Sequence, residues 1–203
     1  MNRGLKILRS FGGRSQNLPA ALFRFCADKR GVSAIEFAMI LPFMLVLLLG
    51  MAEVTDALNQ DRKVSRMANA ITDLVAQAET VTTGELDNVL ALGATILQPY
   101  STTNLNITIA SVSFDEDGDA SVDWSYDDAG NTPWPSGSPP PITLPGTVAA
   151  ANTSIVLGQA TLGYTPPFAG VLNQYFSRSS SITLSDTYYL RPRLTGQVPC
   201  SNC

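Results

Sequence analysis

Residues 32–52 form a run of 21 residues in which Glu36 is the single charged side chain. As a helix the run would be about 31 Å long, enough to cross a bilayer core of about 30 Å. Pro42 lies within it and would bend the helix mildly, which membrane spans tolerate. The 203-residue chain leaves room for one modest domain beside this span.

Charge is divided on either side of the run. Residues 1–31 carry seven bases against one acid, Asp28, whereas residues 32–203 carry six bases and sixteen acids. Basic flanks stay in the cytoplasm, so the expected orientation is N-terminus inside and acidic part outside. The basic set could instead serve as a nucleic-acid arm. An apolar span follows at once, however, and no base-reading motif accompanies it. The acidic outer part also argues against a nucleic-acid partner there. The expected organisation is a basic leader at 1–31, a transmembrane helix at 32–53, an amphipathic extension at 54–80 and an outer α+β domain at 81–203.

Residues 33–79 read as one long helix. Beyond the span, Ala57, Val64, Ala68, Ile71, Val75 and Ala78 recur at helical spacing, with Met67 and Leu74 alongside. This stripe either packs on the chain's own outer domain or forms a coiled-coil-like seam with neighbouring subunits. Residues 81–84 break the helix, and Thr83 is the expected N-cap of a shorter helix reaching about Ile96. The period then changes to two. Leu105, Ile107 and Ile109, then Val112 and Phe114, alternate with polar residues, with an irregularity expected near Ala110 and Ser111. After an acidic turn, Val122, Trp124 and Tyr126 are expected on one face of a returning strand, making a hairpin. Residues 131–145 hold six prolines and read as an exposed loop. Residues 154–164 and 182–190 read as a third and a fourth strand. The expected fold class is α+β: one transmembrane helix continuing into an amphipathic helix, packed on an antiparallel sheet of about four strands.

Chemistry-bearing residues are sparse. The chain has no histidine, which removes every mechanism needing an imidazole base or ligand. No nucleophile–base pair, phosphate loop or Gly-x-Ser-x-Gly elbow is present, so neither an enzyme nor a cofactor is expected. Asp115, Asp117 and Asp119 are weak calcium candidates. Gly118 and Tyr126 fall where an EF-hand loop would not place them, so a solvated hairpin turn is the preferred reading. Cys26 lies in the leader, where a thiol stays reduced; Cys200 and Cys203 would lie where disulfides persist. That pair could be a structural disulfide, a redox pair or an intermolecular link. The first is preferred, because a redox pair would want a helix N-terminus in a thioredoxin-like context. Trp124, Tyr126, Tyr188 and Tyr189 could form a binding face, though such residues on strands more often belong to a core.

Glu36 is the exception. A carboxylate inside a membrane span costs roughly 2.5–3.5 kcal/mol on insertion scales, so it is a functional candidate by default. Cleavage after Gly31 would create a partner for it, a new α-amino group on Val32 about one helical turn away.

Arg30-Gly31 followed by Glu36-Phe37 ahead of an apolar helix resembles the processing site of type IV prepilins, in particular the Flp/Tad branch. More of the chain resembles the TadE-like minor pseudopilins of that branch. The stretches that carry this are residues 30–37, 61–66 and 70–77, the hairpin ending at Trp124-Ser125-Tyr126, and residues 188–193. The chain is too long for a major Flp pilin, and it lacks the Asp-x-Ser-x-Ser metal site of the larger von Willebrand-type relative. The resemblance implies a single-pass protein of the bacterial inner membrane with a periplasmic domain. A prepilin peptidase would cut between Gly31 and Val32, with Glu36 and Phe37 serving recognition and assembly. The implied partners are TadF-like and other pseudopilins or the Flp pilin, the Tad inner-membrane platform and the lipid bilayer; the product is an Flp-type adhesive pilus. Two other readings remain: an uncleaved, signal-anchored periplasmic binding domain, and a secreted protein cut near Gly50-Met51-Ala52. The second is disfavoured, because 21 residues is long for a signal-peptide core of about 7–15 and Glu36 interrupts it.

Overall fold

A computed structural model of the protein describes residues 31–168 and 181–203; most of the basic leader, including Cys26, lies outside the described residues. The chain divides after Leu48, and Leu49–Cys203 form a compact unit of their own. Helix α1 is continuous from Val32–Ala76, with Pro42 inside it, and α2 follows at Thr83–Ile96. Strands β1 (Leu105–Phe114), β2 (Ala120–Asp127), β3 (Ser154–Tyr164) and β4 (Ile182–Leu190) make one sheet in the order β2-β1-β3-β4, antiparallel throughout. The fold is α+β.

The amphipathic stripe of α1 packs on the chain's own sheet. Val64, Met67, Ala68, Ile71 and Val75 are buried in one cluster with Ile107 and Ile109 of β1, Trp124 and Tyr126 of β2, and Val156, Ala160 and Leu162 of β3. Leu74 is instead exposed, at 43%. It lies three residues after buried Ile71 but beside buried Val75, on the flank of the stripe. Two glycines set the closeness of this packing. A Cβ on Gly158 of β3 would lie 2.0 Å from Thr72 Oγ1, and one on Gly93 of α2 would lie 2.5 Å from Ile71 Cγ2. Helix α1 therefore rests on backbone at both contacts.

The start of α2 differs by one residue from the expectation. Thr82, not Thr83, is the N-cap: its hydroxyl accepts from the Glu85 N–H, and the Glu85 carboxylate accepts from the Thr82 N–H. The reason is spacing, because only Thr82 has a glutamate three residues on, as a capping box requires. At the other end of α2, Lys63 Nζ from α1 donates to the Ile96 and Gln98 carbonyls at 3.1 and 2.6 Å. A cation there satisfies otherwise unpaired helix-end oxygens.

The hairpin β1–β2 forms as expected, but Val122 does not share a face with Trp124 and Tyr126. Ser111 pairs with Trp124 and Val112 with Val122, which leaves Asp123 as an extra residue in β2. One inserted residue in a period-two strand exchanges the faces on either side of it. Trp124 and Tyr126 thus join the helix-covered core, while Val122 joins a second cluster with Ala110, Val112, Phe114, Ile155 and Leu157 on the opposite face. The Asp123 carboxylate accepts from Ser111 Oγ and Ser113 Oγ at 2.7–2.8 Å, so the bulge is held by side chains as well as by register.

That second apolar face needs a cover, and residues 131–148 supply it. Trp134 is buried against it, and Ile142, Leu144 and Val148 pack alongside. The loop also bonds to the free edge of β2, through Val122 N to Ser138 O at 2.9 Å and Gly137 N to Val122 O at 2.8 Å. The proline-rich stretch is therefore not simply an exposed loop. Its prolines remove donors and restrict the backbone, which suits a segment that meets the sheet edge at Val122 without forming a fifth strand.

Candidate functional site: the membrane-entry segment

Helix α1 begins at Val32 with no acidic residue in its first turn. Gly31 immediately precedes it, and a Cβ built there meets nothing within 4 Å, so packing among the described residues does not demand glycine at this position. Ile35, Phe37, Met39 and Ile40 are all more than half exposed around it. Among the described residues, α1 is the helix long and apolar enough to cross a membrane, and none of its most apolar 18-residue window is buried. This fits a single-pass membrane protein. Glu36 sits four residues after Val32, one turn along the same face, exposed and without a hydrogen bond or ion pair among the described residues.

The other carboxylate of the helix behaves differently. Glu53, at the end of the apolar run, is 4% exposed. Its Oε1 accepts from the Phe168 N–H at 3.1 Å, and its backbone carbonyl accepts from the Tyr164 hydroxyl at 3.3 Å. The carboxylate thus ties the segment after β3 to α1 where the first buried side chain of the helix occurs. Sequence reasoning passed over this residue; the signal was a glutamate at the apolar-to-amphipathic change, with no acid or base on its flanks until Asp56.

The remaining candidates are engaged within the chain. Asp115 Oδ1 accepts from the N–H groups of Asp117 and Asp119 at 3.0 and 2.8 Å, and Gly118 takes a φ of +84°, so this carboxylate organises its own turn. Among the described residues no group of three or more His, Cys, Asp or Glu side chains is placed to hold a metal ion. Cys200 and Cys203 are joined in a disulfide. Of the aromatic residues proposed for a face, Trp124 and Tyr126 are buried and Tyr188 meets Ser65 Oγ of α1 at 2.9 Å. Tyr189 packs toward the opposite cluster. The Tyr126 hydroxyl donates to Asp87 Oδ1 of α2 at 2.7 Å, and that bond to a carboxylate, followed by burial, raises the phenol pKa above its usual 10.0. Arg193 pairs with Asp73 of α1.

No curated protein and no solved structure matches the chain. The family model of TadE-like proteins matches residues 31–72. The matched segment starts at the glycine ahead of the helix and stops at Thr72, the residue that meets Gly158 on the sheet. It points to a component associated with the Tad pilus. Over residues 31–72, the long apolar helix and its first contacts with the sheet, the chain is similar to TadE-like proteins.

Proposed function

We propose that the chain is a membrane-inserted minor pseudopilin of an Flp-type pilus, cut between Gly31 and Val32 by a prepilin peptidase. Its orientation is N-terminus inside, with residues 81–203 on the periplasmic side, and its work is structural, in building the fibre or assisting its assembly with other Tad components. The observation that carries this reading is Glu36, a carboxylate on an otherwise apolar helix face with no partner among the described residues. Such a group in hydrocarbon calls for a cation. Cleavage supplies one on each processed copy, so that a neighbour's Val32 amine can meet Glu36 within the bilayer. A glycine at 31 that no packing among the described residues requires is consistent with recognition by another protein.

N-terminal sequencing of the protein extracted from membranes tests the proposal. A start at Val32 is expected. An intact leader would replace the reading with an uncleaved signal anchor, and a start at Glu53 with signal-peptidase cleavage. The variant Gly31→Asp is expected to retain the leader and migrate more slowly. Wild-type mobility for that variant would overturn the processing step. Glu36→Ala is expected to be processed and inserted yet fail to co-purify with other pilus components.

A further inference from the structure

Residues 198–202 close the end of the helix-covered core by threading along the connection between α1 and α2. Val198 is fully buried, and its carbonyl accepts from Trp124 Nε1 at 2.8 Å. Val81 donates its N–H to the Pro199 carbonyl and accepts from the Ser201 N–H, both at 3.0 Å, forming an isolated parallel bridge with Cys200. Asn202 then reaches Thr83: its Oδ1 accepts from the Thr83 N–H and its Nδ2 donates to Thr83 Oγ1, both at 2.9 Å. The Thr83 N–H is one of the first-turn donors that α2 cannot satisfy internally. Asn202 lies inside the small loop closed by the Cys200–Cys203 disulfide.

These contacts are unequal. Val198 is deep, whereas Ser201, Asn202 and Cys203 are exposed and Cys200 is half-buried. Exposed hydrogen bonds compete with water, so an open chain beyond Val198 would hold Thr83 weakly. Closing a loop of this size removes conformations from the undocked state, worth roughly a 20-fold shift toward docking in the chain-entropy picture. The exposure of Cys203 leaves that end of the pair within reach of another thiol.

We propose that Cys200 and Cys203 are an oxidation site, and that their closure latches residues 198–202 onto the α1–α2 connection as a late step in maturing the outer unit. The electron acceptor is the disulfide of a thiol-oxidising protein. One cysteine thiolate attacks that disulfide to form a mixed disulfide, and the second displaces the partner's remaining sulfur. Two protons and two electrons leave the pair, and the partner departs as a dithiol. The inference rests on the outer placement of residues 81–203 proposed above and not on cleavage at Gly31, so each can fail without the other.

Hydrogen–deuterium exchange of the full chain in detergent micelles, with and without dithiothreitol, tests it. Reduction is expected to speed exchange of residues 79–84 and 199–203 by roughly 20-fold, leaving β1 and β3 unchanged. The double variant Cys200→Ser with Cys203→Ser should match the reduced protein. Asn202→Ala should loosen residues 79–84 with the disulfide intact. Unchanged exchange at 79–84 on reduction or in Asn202→Ala would overturn the latch. Faster exchange throughout β1 and β3 on reduction would overturn it too, by showing a disulfide that holds the whole fold. Acid-quenched alkylation of protein taken directly from membranes should find the pair oxidised; free thiols at both positions would refute the oxidation step.

Discussion

The contact between Thr72 and Gly158 is the point at which a single added methyl group should be felt most. Gly158 lies in β3 without a left-handed φ, so its backbone accepts alanine and the penalty is one of space. The new Cβ would lie 2.0 Å from Thr72 Oγ1 and 3.2 Å from both Thr72 Cβ and the Ala68 carbonyl oxygen. Thr72 is fully buried and its hydroxyl already donates to the Ala68 carbonyl at 2.6 Å, so rotating away would cost that bond. Overpacking of this kind costs about 1–3 kcal/mol. For a unit of this size, about 2 kcal/mol corresponds to a fall in Tm of roughly 4–8 °C. Thermal unfolding of full-length Gly158→Ala in micelles, followed by tryptophan fluorescence, measures the shift. Thr72→Ala removes the nearest atom, so the two substitutions together should be less damaging than their sum, by about 1 kcal/mol of coupling. An alanine at 158 that unfolds at the wild-type temperature, or two penalties that simply add, would refute the claim that α1 lies directly against the β3 backbone here.

Three further outcomes follow from the same packing. Thr82→Ala removes one half of the capping box while leaving the Glu85 carboxylate on the Thr82 N–H, and should cost about 1 kcal/mol in urea unfolding. Trp134→Ala empties the cover over the second face and should cost about 3–5 kcal/mol in the same assay, far more than a residue of a free loop would. The Tyr126 phenol, neutral and bonded to Asp87, has its folded pKa raised; the stability it contributes is complete below pH 10 and is lost as pH climbs through the raised value. Unfolding between pH 9 and 11 should therefore show a smaller alkaline loss for Tyr126→Phe than for wild type, and equal slopes would count against the bond.

The elements whose signals are local were legible in the sequence. The span at 32–52 is a matter of length and composition, and the acidic turn at 115–119 is set by residues that bond within it. The stripe Val64-Met67-Ala68-Ile71-Val75 follows helical spacing, so the buried side of α1 could be read before any partner was known.

Other features depended on a neighbour that no local pattern reveals. The split between Val122 and Trp124 arises from the pairing of β2 with β1, since an extra Asp123 is defined only against Ser111 and Val112. Val122, Trp124 and Tyr126 alternate perfectly in sequence, and period alone put them together. Trp134 reads as part of a proline-rich loop until the second face of the sheet exists for it to cover. Glu53 is a carboxylate at the end of an apolar run until the segment after β3 returns to it. What the sequence determined by itself was which segments form and which sides of the helices are apolar, because propensity, capping and periodicity act within a few residues. What the tertiary structure decided was where Gly93 and Gly158 must be bare, which face each strand residue takes after the bulge, and that residues 198–202 close the core. Those depend on backbones brought together from positions up to 120 residues apart.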